Sequence, residues 1–126
     1  MANLTFTDDG LEWLVKRLFD PASAEDPLMG VAIGSSSTAP STADAALVAE
    51  TARDTAVFTY VSPGVCLVSC VFAAGIGTGT VAEVGLLTND TAGGILIGRA
   101  VVSSFTKGAG DSYTAEFPLD LTDLNA

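Results

Sequence analysis

At 126 residues and 48 % hydrophobic, the chain reads as a single domain over 1–126, large enough to bury a core without disulfide or metal staples. Fifteen acids against five bases leave a net charge of −10, and there is no histidine; phosphate backbones are repelled, so no nucleic acid is expected as a partner, and the commonest general base and zinc ligand is missing. No apolar run reaches the roughly 18–20 residues that span a bilayer, and the opening residues carry neither a basic leader nor an apolar signal core, so no membrane partner is expected and synthesis is placed in the cytoplasm.

The first element is an amphipathic helix within 1–20. In "TFTDDGLEWLVKRLFDP", Leu11, Leu14, Val15 and Leu18 fall at i, i+3, i+4 and i+7 and form one apolar stripe expected to face the core. Thr7 is the N-cap, Asp8 and Asp9 suit the positive end of the helix dipole, Lys16 and Arg17 suit the negative end, and Pro21 stops the helix. Trp13 and Phe19 widen the apolar surface beyond the stripe, which makes them candidate contacts with a partner.

After the turn "DPASAEDP" the period changes. "LMGVAIGSS" alternates Met29, Val31 and Ile33 with smaller residues, as a strand does. The next stretch is small and polar: a flexible loop over 35–43, then Ser41-Thr42-Ala43-Asp44 resembling a capping box for a short helix through Leu47. Five strand candidates follow, "TAVFTYV", "GVCLVSCVFAA", "TVAEVGLLT", "GILIGRAVVSSF" and "SYTAEFPLDLT", separated by the turn signals "SPG", "GIGTG", "NDTAGG" and "TKGAGD". Short sequential strands with glycine-rich turns predict a mainly β fold, an antiparallel β-sandwich or barrel over 28–121 behind the single N-terminal helix.

The chemistry-bearing patterns are sparse. "GTGTVA" at 77–82 follows an apolar run as a dinucleotide fingerprint does, but no crossover helix fits before "NDTAGG", so the glycines read as a connection between two antiparallel strands. Ser35-Ser36-Ser37 lacks a nucleophile elbow and an imidazole. Asp8-Asp9 read as helix-start residues, and Asp120 with Asp123 as a polar tail, rather than as a carboxylate pair. Cys66 and Cys70 lie about 13 Å apart on one face of a strand, beyond disulfide reach, and are expected as buried free thiols. Asn3-Leu4-Thr5 and Asn89-Asp90-Thr91 match the glycosylation acceptor by spacing alone. Tyr60, Phe58, Phe72, Phe105, Tyr113 and Phe117 fall in predicted strands and are expected in the core rather than on a binding loop. No catalytic, metal or cofactor site is assigned, and the chain is expected not to be an enzyme. Charged residues inside strand-like phrases tend to be paired, so Glu50, Arg53 and Glu83 are structural ion-pair candidates, with Arg53 joined to one of the glutamates. The acidic, lysine-poor balance is compatible with a halophilic source.

The succession "LTFTDDGLEWLVKRLF", "MGVAIGSSSTAPSTADAALVAETAR", "AEVGLLTNDTAGGILIGRAVV" and "FTKGAGDSYTAEFPLDL" resembles a group of small virion structural proteins of tailed phages or archaeal tailed viruses, of the tail-fibre or tail-collar type. The matching residues are Thr7, Asp9, Gly10 and Leu11; Gly34, Thr38, Ala39 and Pro40; Asp44, Leu47, Glu50 and Arg53; and Glu83, Gly85 and Leu86. Ser35 to Ser37 replace the second glycine of that group's loop, and "TDDGL" carries an extra acid. The resemblance implies a non-enzymatic structural protein of the virion, in the tail, baseplate or fibre, that forms a homo-oligomer and binds other virion structural proteins. A capsid decoration protein, or a receptor- or carbohydrate-binding module at a fibre tip, is the alternative.

Overall fold

The computed structural model describes residues 4–20, 22 and 29–122. In chain order the elements are β1 (Thr5–Phe6), α1 (Asp8–Phe19), β2 (Gly30–Gly34), β3 (Glu50–Thr55), β4 (Val57–Ser62), β5 (Val65–Phe72), β6 (Gly79–Leu87), β7 (Leu96–Lys107) and β8 (Tyr113–Asp120). They form two antiparallel sheets, one of five strands in the order β1-β7-β6-β2-β3 and one of three in the order β4-β5-β8. The fold is thus mainly β, a sandwich with one N-terminal helix, as the alternation and turn spacing predict. Pro21, most of the turn that contains it, Asn3 and Asp123 lie outside the described residues.

Two tight hairpins keep the chain within a sheet, β4–β5 through Pro63-Gly64 and β6–β7 through 88–95, and β1, β2 and β3 all belong to the five-stranded sheet, so the chain changes sheet at β3–β4, β5–β6 and β7–β8. Gly64, Gly75, Gly77, Gly79, Gly93 and Gly94 have positive φ, which is why the predicted turns are built from glycine. The "GIGTG" turn links β5 to β6, which belong to different sheets. It is a crossing rather than a hairpin, and Gly77 passes against the Ile33 and Ala52 side chains, where a Cβ would stand 2.7 Å from Ile33 Cδ1.

Between the sheets, Val31 and Ile33 of β2, Val81, Val84 and Leu86 of β6, and Ile97 and Ala100 of β7 pack with Val68, Cys70 and Phe72 of β5 and Ala115 and Phe117 of β8. The outer face of the five-stranded sheet is buried as well, because Leu47 lies on Ala32, Leu87 and Leu96. Strands covered on both sides lose the hydrophobic alternation, and β2 and residues 81–87 of β6 are accordingly buried throughout.

Three features depart from the sequence reading. No helix forms after Asp44; the Ser41 N–H donates to Asp44 Oδ2 (3.0 Å) and the Ala43 N–H to Ser41 Oγ (3.2 Å), but the chain then drops Leu47 onto the sheet and continues as strand β3. The loop expected to be flexible over 35–43 is tied down, as described below. The third is the rotation of α1. Thr7 caps it, accepting from the Gly10 N–H (2.9 Å) while donating its hydroxyl to the Leu96 carbonyl. The buried face holds Gly10 and Trp13, whereas Leu11, Val15 and Leu18 of the predicted core stripe are exposed. The cause is Gly10. A Cβ there would stand 2.3 Å from the Ile97 carbonyl oxygen, so the glycine marks the side on which the helix backbone rests against β7. Trp13 is 6 % exposed and belongs to the core, and it is therefore corrected from a partner-contact candidate, while Phe19 is 77 % exposed.

This rotation yields a stability prediction. Trp13→Ala removes a core side chain and is expected to cost about 3–5 kcal/mol. Leu18→Asp, on the open face, is expected to cost about 1 kcal/mol or less, mostly from an acid at the helix C-terminus. Urea unfolding followed by far-ultraviolet circular dichroism measures both; the opposite ranking would place the leucine stripe in the core.

Candidate functional site

The polar residues of the sheet gather around two arginines, the buried Arg99 and the half-buried Arg53. Glu83, in the apolar run of β6, and Arg99, beside it on β7, are both fully buried. The Glu83 carboxylate accepts four hydrogen bonds: from Arg99 Nε (3.0 Å) and the Val48 N–H (2.9 Å) on Oε1, and from the Ser36 N–H (2.9 Å) and the Ala49 N–H (3.0 Å) on Oε2. Arg99 Nη1 also reaches Asp44 Oδ2 at 3.5 Å. The segment 35–49 thus has both ends fastened to one carboxylate, and the Asp8 N–H holds its middle by donating to the Thr42 carbonyl (2.8 Å). Gly34 and Gly85 make room, since a Cβ on Gly34 would stand 2.8 Å from Glu83 Cγ and one on Gly85 2.3 Å from Leu47 Cδ1.

Arg53 forms the second clamp. Its Nε and Nη2 grip Glu50 in a two-pronged contact (2.9 and 2.7 Å), and Nη1 donates to the carbonyls of Gly93 (2.7 Å) and Asn89 (3.2 Å). It thereby fixes the β6–β7 turn, where Asn89 Oδ1 accepts from the Thr91 and Ala92 N–H groups. Of the three ion-pair candidates the structure joins Glu50 with Arg53 and gives Glu83 to Arg99, which sequence reasoning missed. The signal was present: Gly85 pairs with Arg99 in the ladder, and Glu83 with Val101, so an "E-x-G" phrase and an arginine on the next strand share a face.

Cys66 and Cys70 are free thiols, Cys70 buried in the core. Burial pushes the Cys70 thiol up to about 12, with the Asp54 carboxylate adding to the shift, and burial also raises the Tyr113 phenol. A shallow hollow of about 230 Å³ lies between α1 and Ile95, lined by Asp9, Glu12, Trp13 and Lys16. Lys16 pairs with Glu12 at its rim (2.7 Å), which holds the Glu12 carboxyl below its ordinary range. Among the described residues no three His, Cys, Asp or Glu side chains gather as metal ligands do, and no helix is long and apolar enough to cross a membrane.

Two exposed apolar surfaces stand out instead. One is the outer stripe of α1, Leu11, Val15, Leu18 and Phe19. The other is strand β4, exposed from Val57 to Val61, with Tyr60 74 % exposed. The expectation that the strand aromatics are core holds for Phe72 and Phe117 and for the half-buried Tyr113, which stacks on Phe72 and meets Phe105 edge-on. It fails for Phe58, Tyr60 and Phe105, which stay exposed.

No family model, curated protein or solved structure matches this chain.

Two outcomes follow from that geometry. Glu83→Gln and Arg99→Met each strand a buried charge and are expected to cost about 3–5 kcal/mol, with the double variant recovering part of the loss; additive losses in chemical denaturation would show that the two groups do not act as a pair. Cys70 has a raised folded-state value, so its contribution is complete below about pH 9, its ordinary value, and is lost as pH rises through about 12. Stability should fall on that alkaline limb and fall less in Cys70→Ala, which denaturation midpoints across pH 8–12 would check.

Proposed function

We propose that this chain is a non-enzymatic structural subunit of a tailed-virus particle, made in the host cytoplasm and built into the tail, baseplate or fibre. The observation that carries the reading is where polar and apolar groups are placed. Its buried charges brace loops, while an uncharged strand and a helix stripe are left open. A brace of this kind suits a part that must keep its shape under load, and open apolar faces suit a part that neighbours cover. The resemblance adds support residue by residue: Asp44, Leu47, Glu50, Arg53, Glu83 and Gly85, which carry it, are the residues of the two clamps and the notch between them. The helix stripe is the surface assigned to other virion proteins. Exposed Phe58 and Tyr60 favour a second reading, a carbohydrate- or receptor-binding module at a fibre tip.

Antibodies raised against the purified chain are expected to label particles released from the source culture, with gold on the tail by electron microscopy. A chain carrying Leu18→Asp should fold yet enter particles about tenfold less, the loss of one well-buried anchor. Antigen confined to the cell fraction, with none on particles, would refute the virion reading. Particle-bound protein that a defined glycan displaces from host cells would favour the binding module.

A further inference from the structure

We infer that β4 pairs antiparallel with β4 of a second copy of this chain, with Thr59 on the two-fold axis. The inference rests on the sheet edges and does not draw on the virion reading. Four strands lie at edges: β1 and β3 in one sheet, β4 and β8 in the other. Proteins blunt such edges by making them short, charged, bulged or proline-bearing. β1 is two residues long, β3 carries Glu50, Arg53 and Asp54, and β8 carries Glu116, Pro118 and Asp120. β4 reads Val57-Phe58-Thr59-Tyr60-Val61-Ser62, with no charge and no proline. Its one blunting feature is the bulge at Val61, where the pairing with β5 shifts between Tyr60 and Ser62; it lies near the end of the strand and leaves 57–60 in regular register.

The strand is also its own complement. Counting outward from Thr59, the neighbours are aromatic on both sides, Phe58 and Tyr60, and then valine on both sides, Val57 and Val61. An antiparallel pair centred on Thr59 therefore sets threonine against threonine and Phe58 against Tyr60 of the copy, with Val57 facing the bulged Val61 at each end. Aromatic, β-branched and Thr–Thr pairs are the favourable cross-strand combinations, and a surface that matches itself makes a closed two-fold dimer rather than an open chain. A different protein partner would not require this symmetry. Phe58 and Tyr60 share the face of Val68 and Cys66, so pairing extends the apolar inner face of the three-stranded sheet across the axis into a six-stranded one. Charge selects the same place, because two copies at −10 each repel, and an uncharged edge is where they can meet once salt screens the rest.

The test uses the whole chain in sedimentation equilibrium at about 0.15 M and about 1 M salt. The parent should dimerise, more tightly at the higher salt. Thr59 is exposed, so Thr59→Lys and Thr59→Glu should keep the parent's circular dichroism while each weakens the dimer by about tenfold or more, since like charges then face each other across the axis. An equimolar mixture of the two variants should regain dimer to within about threefold of the parent, as a heterodimer by native mass spectrometry, because opposite charges now meet. A monomeric parent at both salts, variants that dimerise like the parent, or a mixture that stays monomeric would each overturn the inference. So would a parent dimer that Leu18→Asp dissociates and Thr59→Lys does not, since the helix stripe would then be the contact.

Discussion

The Glu83 carboxylate is the constraint on which the five-stranded sheet depends. β2 and residues 81–87 of β6 are buried on both faces, so the outer face must be covered, and its cover is a segment without helix or strand. Such a segment satisfies only some of its N–H groups by local turns, and buried unsatisfied donors are costly. Glu83 resolves this by accepting from Ser36, Val48 and Ala49, while Arg99 balances its charge. A buried ion pair is weak evidence for net stability, because desolvation offsets much of its attraction. Its effect here is specificity. With four donors converging on one carboxylate, the cover has a single seating that also sets Leu47 into the space left by Gly85.

That seating propagates along the chain. Ala49 is the residue before β3, and the Ser35 N–H donates to its carbonyl (3.0 Å), so holding Ala49 sets where β3 begins its ladder with β2. Arg53, four residues on, uses the register so obtained to reach Glu50 and the 88–95 turn at once. The Ala56 N–H then donates to the Met29 carbonyl (2.8 Å) as the chain crosses to the second sheet, and β4 follows directly. The exposed edge therefore stands at the end of a series of fixed points rather than on a free hairpin.

The parts of the fold that were legible in the sequence are those set by local chemistry. Thr7 as N-cap, the five late strands and their glycine turns follow from propensity, alternation and the need for positive φ. What escaped depends on contacts between distant segments. The stripe of leucines on α1 satisfies the arithmetic of an amphipathic helix, yet a glycine decided which side faces inward, because close approach of backbones outweighs a count of large side chains. β3 was hidden because "ETARDT" is polar for an edge strand with clamp residues on it, and Ser41 with Asp44 offered a helix start whose hydrogen bonds form without a helix. Glu83 stands out as a charge in an apolar phrase, but its partner depends on the β6–β7 register, which brings Arg99 rather than Arg53 to it.

The bracing of the sheet bears on how the open surfaces work. Association loses translational and rotational freedom in every case, and a floppy edge would add the ordering of each residue it presents. β4 is already extended and paired along its other side with β5, so a strand added at its free side orders little that is not ordered already. The same reasoning applies to α1, whose first turn is fastened through Thr7 and Gly10 to β7 while its apolar stripe points away. The acidic residues, for their part, would set when copies meet rather than where: two copies at −10 each repel, and added salt screens that repulsion.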